Sequence, residues 1–104
     1  MNDFEEEIRA LRDKTESIRR QFLQTDLQTC FIALDRARLE LSLGDTCEAE
    51  KEFKIANRGK QVIERFLSEA AGEMPEIEQK LTELRASLLS LRSDLDAYPG
   101  SARA

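Results

Sequence analysis

Acidic side chains at helical spacing are the first residues in this 104-residue chain whose types could support chemistry. Glu48 with Glu52, and Glu73 with Glu76, place carboxylates close enough to share a metal ion. Helical bundles that hold metals in this way also use a Glu-x-x-His motif, and the chain contains no histidine. The lack of histidine also removes the usual general base for a serine or cysteine nucleophile. We therefore expect a solvated acidic face, no metal, no cofactor, no catalytic residues and no enzymatic activity.

The two cysteines, Cys30 and Cys47, are predicted to be free thiols that do not pair with each other. Cys30 shares an apolar stripe with Leu27 and Leu34, which is typical of a small core residue. Cys47 stands in the first turn of a predicted helix, where the helix dipole lowers a thiol pKa, but neighbouring acids oppose that effect. A thiol-based redox protein or small enzyme is therefore the third-ranked hypothesis.

Four basic residues share one face of the second predicted helix: Lys51, Lys54, Arg58 and Arg65. Such a face could contact nucleic acid or another anion, although no aromatic side chains interleave with it. The formal net charge of −5 disfavours nonspecific attraction to nucleic acid or to an anionic membrane. We keep anion binding by a small regulatory protein as the alternative function, and we expect neither nucleic acid nor membrane as the main partner.

The elements that position these residues are predicted to be three helices. The composition is 36% charged with only four glycines and two prolines, and the strong breakers lie at Gly44-Asp45, at 72–75 and at Pro99-Gly100. The predicted helices cover about residues 3–43, 46–71 and 75–97. The fold class is all-α, an antiparallel up-down-up three-helix bundle that forms one domain over 1–98, with a frayed tail over 99–104.

Apolar periodicity gives each helix its predicted packing. The third helix begins at Pro75 and carries a coiled-coil heptad pattern over three heptads. The second helix has two apolar stripes about 100° apart, which indicates contact with two neighbours and a central position. One of these stripes contains Ala49, Phe53 and Ala56; the other contains Ile55, Gly59, Val62 and Phe66.

The first helix also has two stripes, and they occupy different halves. The first is Phe4, Ile8, Leu11, Thr15, Ile18 and Phe22; the second begins at Leu23 with the same spacing, one position later. An unbroken helix of this length would extend beyond the second helix and leave the first stripe uncovered. Either the helix breaks near residues 23–26 to give a four-helix monomer, or the segment packs against a second copy. We predict the homodimer, with Phe4, Ile8, Leu11, Ile18 and Phe22 as the self-association stripe.

Residues 33 to 61 resemble a single degenerate tetratricopeptide-type helical hairpin. Ala37, Ala49, Phe53 and Ala56 match its small and aromatic core positions, and Gly44-Asp45 stands at its turn. Ala33, Arg36, Glu40 and Gln61 depart from the pattern. The resemblance implies a closely packed hairpin but no ligand groove, because that groove needs neighbouring repeats. A three-helix microtubule-interacting-and-transport domain is a weaker resemblance.

The sequence therefore favours a non-catalytic module for self-association or for docking a partner protein helix. The first residues are acidic and are followed by no apolar run, so we expect no secretory signal. No stretch approaches the roughly 20 apolar residues of a membrane span. Together with the two free thiols, these features predict a cytoplasmic protein.

Overall fold

The structure is a computed structural model that describes residues 3–69 and 72–99. Within these ranges the chain forms three helices and no strand. They are α1 (Asp3–Ser42), α2 (Thr46–Glu69) and α3 (Pro75–Ala97). The predicted all-α class and the three helices are confirmed. The predicted end of the second helix near residue 71 and most of the predicted tail lie outside the described residues.

Helix α1 is continuous over 40 residues. The alternative of a break at 23–26, which would give four helices, is therefore wrong. No glycine or proline occurs between Asp3 and Ser42, and the Thr25 carbonyl accepts a hydrogen bond from the Thr29 hydroxyl (3.0 Å) within the helix. Thr25 and Asp26 lower the helix propensity only slightly. Packing of the buried stripe that begins at Leu23 therefore suffices to keep the helix continuous here.

Gly44 ends α1 as the sequence predicted. Its φ of +82° is the left-handed conformation that glycine adopts without steric cost. The following Asp45 caps α2, because its carboxylate accepts a hydrogen bond from the Glu48 backbone N–H (3.1 Å). A side chain at residue 44 would also approach the Tyr98 hydroxyl, 3.1 Å from the position of a Cβ. The positive φ is therefore what favours glycine at this turn, and a larger residue would also require a small shift of Tyr98.

One hydrophobic core joins the three helices. The heptad positions of α3 from Ile77 to Leu95 are all nearly inaccessible to solvent, as the periodicity predicted. Helix α1 contributes its second stripe, beginning at Leu23, and α2 contributes Ala49, Ala56 and Ile63. Met74, which precedes α3, is also buried. Burial of this set provides the main stabilisation of the fold.

Ion pairs connect the helices at the edges of the core. Arg38 of α1 donates to Asp94 of α3 (2.9 Å). Arg85 of α3 donates to Glu64 of α2 (2.7 Å), and Arg92 of α3 makes a two-pronged pair with Glu50 of α2. The two-pronged geometry fixes the orientation of both side chains better than a single contact would.

The N-terminal half of α1 extends beyond this core. Its first buried residue is Leu23, and every residue from Asp3 to Phe22 is exposed. The molecule measures 68 × 19 × 17 Å, which reflects a helix of ~60 Å beside two helices of ~36 Å. We call residues 3–22 the overhang.

Candidate interaction surface

The predicted self-association stripe lies on the overhang with its large side chains in solvent. Their exposed fractions run from 42% to 65%; the residues are Phe4, Ile8, Leu11, Ile18 and Phe22. The remaining heptad position of the stripe is Thr15, the fourth of six, whose hydroxyl donates to the Leu11 carbonyl (2.9 Å) and so turns its polar atom toward the helix backbone. The structure therefore leaves this apolar stripe largely in solvent, with Phe22 at its base in contact with α2.

The stripe meets the helical core at an apolar cavity of about 270 Å³. The ring of Phe22 packs edge to face against Phe66 of α2, with centroids 5.5 Å apart. Ile18 and Met74 also line this cavity. Thus, the overhang is joined to the core by aromatic packing at its base.

The same heptad register continues along the whole outer side of α1, which the sequence analysis missed. After Phe22 it passes through Thr25, Thr29, Ile32, Arg36, Leu39 and Leu43, and all six are exposed. The three large apolar members, Ile32, Leu39 and Leu43, are 46% to 75% exposed. Their spacing, seven from Ile32 to Leu39 and four from Leu39 to Leu43, was the available signal, but threonine and arginine at the intervening positions interrupt the apolar pattern.

Helix α2 adds a second row of exposed apolar residues next to this side of α1. Ile55, Val62 and Phe66 are each 39% to 52% exposed, although the sequence predicted that their stripe would contact a neighbouring helix. Two members of that stripe approach α1 closely: a Cβ at Gly59 would overlap the Cys30 sulfur, and Phe66 contacts Phe22. A groove of about 550 Å³ runs between the two helices, with Thr29 on one wall and Ile55 and Val62 on the other.

The predicted anion face lies beside the same groove. Lys51, Lys54, Arg58 and Arg65 are all exposed, and the first three line the groove. Lys51 donates to Glu48 (2.9 Å), and this hydrogen bond raises the pKa of its ammonium group. Glu48 therefore partly neutralises Lys51 within the groove.

The predicted hairpin core is largely buried. Ala37, Ala49 and Ala56 have no exposed surface, which permits close approach of α1 and α2. Phe53 is only half-buried, and the Arg92 guanidinium lies 5.0 Å from its ring centroid. The sequence did not reveal Arg92 as its partner, because 39 positions of chain separate the two residues.

A group of acids surrounds Glu40 where α1 ends and α2 begins. Its Oε2 is buried and has no hydrogen-bond partner within the described part of the chain. Removal from water, and then repulsion by Glu52, Glu48 and Asp45, raises the pKa of the Glu40 carboxyl. Among residues 3–69 and 72–99, no group of three or more His, Cys, Asp or Glu residues has an arrangement that could hold a metal ion.

The two thiols occupy different environments. Cys47 is exposed at the start of α2, whereas Cys30 is buried between α1 and α2. Burial, with a smaller contribution from Asp26, raises the pKa of the Cys30 thiol to about 11. Cys30 therefore has the chemistry of a packing residue rather than of a nucleophile.

Comparisons of the chain with protein-family models, with curated proteins and with solved structures gave no match. The tetratricopeptide-type resemblance of residues 33 to 61 therefore remains a resemblance in residue pattern. None of the helices in the described ranges is both long enough and apolar enough to cross a membrane.

Proposed function

We propose that this protein is a non-catalytic self-association module whose overhang packs against a second copy. One observation carries the proposal: five large apolar side chains at heptad spacing are exposed on a helix that extends beyond its own core. Burying each such side chain fully is worth ~1.5–3 kcal/mol, so an uncovered stripe of this size favours association. The alternative to a second copy is an apolar helix of a partner protein that covers the same stripe.

We further infer an antiparallel up-down-up arrangement of the helices. Glu50, early in α2, pairs with Arg92, late in α3, and Glu64 pairs with Arg85. Phe22 of α1 contacts Phe66, late in α2. These contacts support an arrangement in which the overhang extends from the core at the C-terminal end of α2. We also propose a cytoplasmic location, which the two unpaired thiols support.

A double substitution in the stripe tests self-association. Ile8→Asp with Leu11→Asp places two charges on the apolar side, and we expect a monomer whose helical core still unfolds cooperatively. Ala10→Asp with Ser17→Asp is the matched control, because it adds the same charge to the opposite, solvated side of the overhang. Equal loss of dimer in both variants would indicate a general charge effect and contradict the proposal.

Binding of an anion or nucleic acid is the second candidate function. Lys51, Lys54 and Arg58 line one groove, which is the observation that favours it. Such binding would weaken steeply with salt. Retention on heparin that falls sharply between 50 and 200 mM salt, and that is lost in Lys54→Glu with Arg58→Glu, would support this candidate; no retention at 50 mM would exclude it.

A further inference from the structure

We propose that two copies pair antiparallel along the full length of α1, with a two-fold axis between Phe22 and Thr25. This inference rests on the self-association proposed above and adds its register and extent. The surface involved, which we call the outer seam, consists of the heptad positions of α1 from Phe4 to Leu39, together with Leu43 directly after the helix. All twelve are exposed.

The distribution of apolar residues favours this register. In full antiparallel overlap, Phe4 faces Leu43 of the second copy and Ile8 faces Leu39 of the second copy. All eight large apolar residues of the outer seam are then covered, three of them being Ile32, Leu39 and Leu43. Pairing of the overhangs alone would cover only the five residues of the N-terminal stripe. A stable interface buries about 800 Å² per partner, so the longer overlap is preferred.

Charges beside the outer seam favour the same register. Lys14 then lies beside Asp35 of the second copy and Arg19 beside Asp26 of the second copy, and each pair occurs twice. Gln21 lies beside Gln28. One pair, Glu5 with Glu40, is unfavourable, and Arg36 meets Leu11 through its aliphatic stem. Complementary pairs thus outnumber like-charged pairs.

The alternative registers are electrostatically poorer. In antiparallel pairing of the overhangs alone, two like-charged contacts form at the two-fold axis. Arg12 lies beside Arg12 of the second copy, and Lys14 lies beside Lys14 of the second copy. A parallel pair brings Lys14 beside Arg19 of the second copy, twice. Each alternative has as many repulsive as attractive contacts, so charge favours the full overlap.

The exposed row on α2 fits this arrangement. A helix seated on the outer seam lies beside the groove whose walls carry Thr29, Ile55 and Val62. The second copy therefore covers apolar side chains of α2 as well as of α1. This accounts for the exposure of Ile55 and Val62 in the single chain.

Engineered disulfides test the register. In a Cys47→Ser background, Ile8→Cys with Leu39→Cys should give a reducible covalent dimer on mild oxidation. Within one chain these residues lie ~46 Å apart along α1, far beyond the ~7 Å Cα separation that a disulfide allows. The matched variants are Ile8→Cys with Ile18→Cys, which reports overhang-only pairing, and Leu11→Cys, which reports parallel pairing. Efficient cross-linking of either, without the 8–39 product, would overturn the register.

Charge reversal provides a second test that leaves the apolar seam intact. Lys14→Asp and Asp35→Lys should each weaken dimerisation roughly three- to thirtyfold at low salt, and the double variant should restore it. Unchanged affinity in Asp35→Lys would contradict the full overlap, because only this register brings Asp35 beside Lys14 of the second copy. The cross-linking and charge-reversal results test the register alone. A wild-type chain that is monomeric would instead contradict self-association itself.

Discussion

Phe22 and Phe66 pack edge to face, with ring centroids 5.5 Å apart, at the point where α1 leaves the helical core. Toward the C-terminus from this contact, α1 buries its inner stripe against α2 and α3. Toward the N-terminus, every residue of the overhang is exposed. The aromatic pair therefore marks the boundary between the part of α1 that its own chain stabilises and the part for which we propose a second copy.

Phe53→Ala should lower the free energy of unfolding by ~1.5–3 kcal/mol. A fully buried phenylalanine would cost ~3–5 kcal/mol, but Phe53 is half-buried and one side of its ring faces the Arg92 guanidinium. Lys54→Ala, at the adjacent exposed position, should cost less than ~0.5 kcal/mol. Urea unfolding measures both, and equal effects would show that the packing face of α2 is misassigned.

Gly59→Ala should destabilise the protein by ~1–3 kcal/mol, although alanine normally favours a helix interior. The reason is steric, since the new Cβ would overlap the Cys30 sulfur. Adding Cys30→Ala should recover part of the loss, so a double-mutant cycle would give a favourable coupling.

Gly72→Ala is the control for that cycle, because a Cβ there has no neighbour within 4 Å. Thermal unfolding would compare the variants. A Gly59→Ala protein that is as stable as wild type would show that α1 and α2 are not in close contact at this point.

Glu40→Gln should raise the melting temperature at neutral pH. The folded protein raises the pKa of this carboxyl, so folding disfavours the charged form, and the penalty is relieved as pH falls through the folded pKa. The gain over wild type should therefore shrink on acidification. The hydrogen bonds from Arg92 and Arg85 lower the pKa values of Glu50 and Glu64. These two carboxyl groups therefore make the folded protein less stable as the pH falls. For this reason the difference between variants is the informative quantity.

Glu73→Gln is the charge-matched control, because Glu73 is exposed outside this acidic group. It should leave the melting temperature nearly unchanged at both pH values. Equal stabilisation by both substitutions would mean that net charge, rather than the surroundings of Glu40, sets the effect.

Cys47 should react with a thiol reagent in the folded protein, whereas Cys30 should react only on unfolding. Cys30 is buried, and with a thiol pKa of about 11 only roughly one molecule in a thousand carries the thiolate at pH 8. Labelling with an aromatic disulfide in native buffer should give one equivalent, and in denaturant two. Two rapid equivalents in native buffer would contradict the packing of Cys30 against α2.

The sequence predicted those elements whose signals are local. Gly44 predicted the turn between α1 and α2, and the unbroken heptad pattern from Ile77 to Leu95 predicted α3 and its buried face. The alternative of a break at 23–26 was wrong because a change of stripe reflects a change of neighbours, which a straight helix accommodates without a turn. The contact of Phe53 with Arg92 depends on the approach of α3, which no local pattern encodes. The outer seam was missed since Thr25, Thr29 and Arg36 interrupt its apolar residues after Phe22.

The mass of the wild-type protein in solution tests the central proposal most directly. Sedimentation equilibrium at tens of micromolar should give twice the 11.9 kDa mass of the chain, with dissociation toward the single-chain mass on dilution. A single-chain mass throughout this range would contradict self-association through α1.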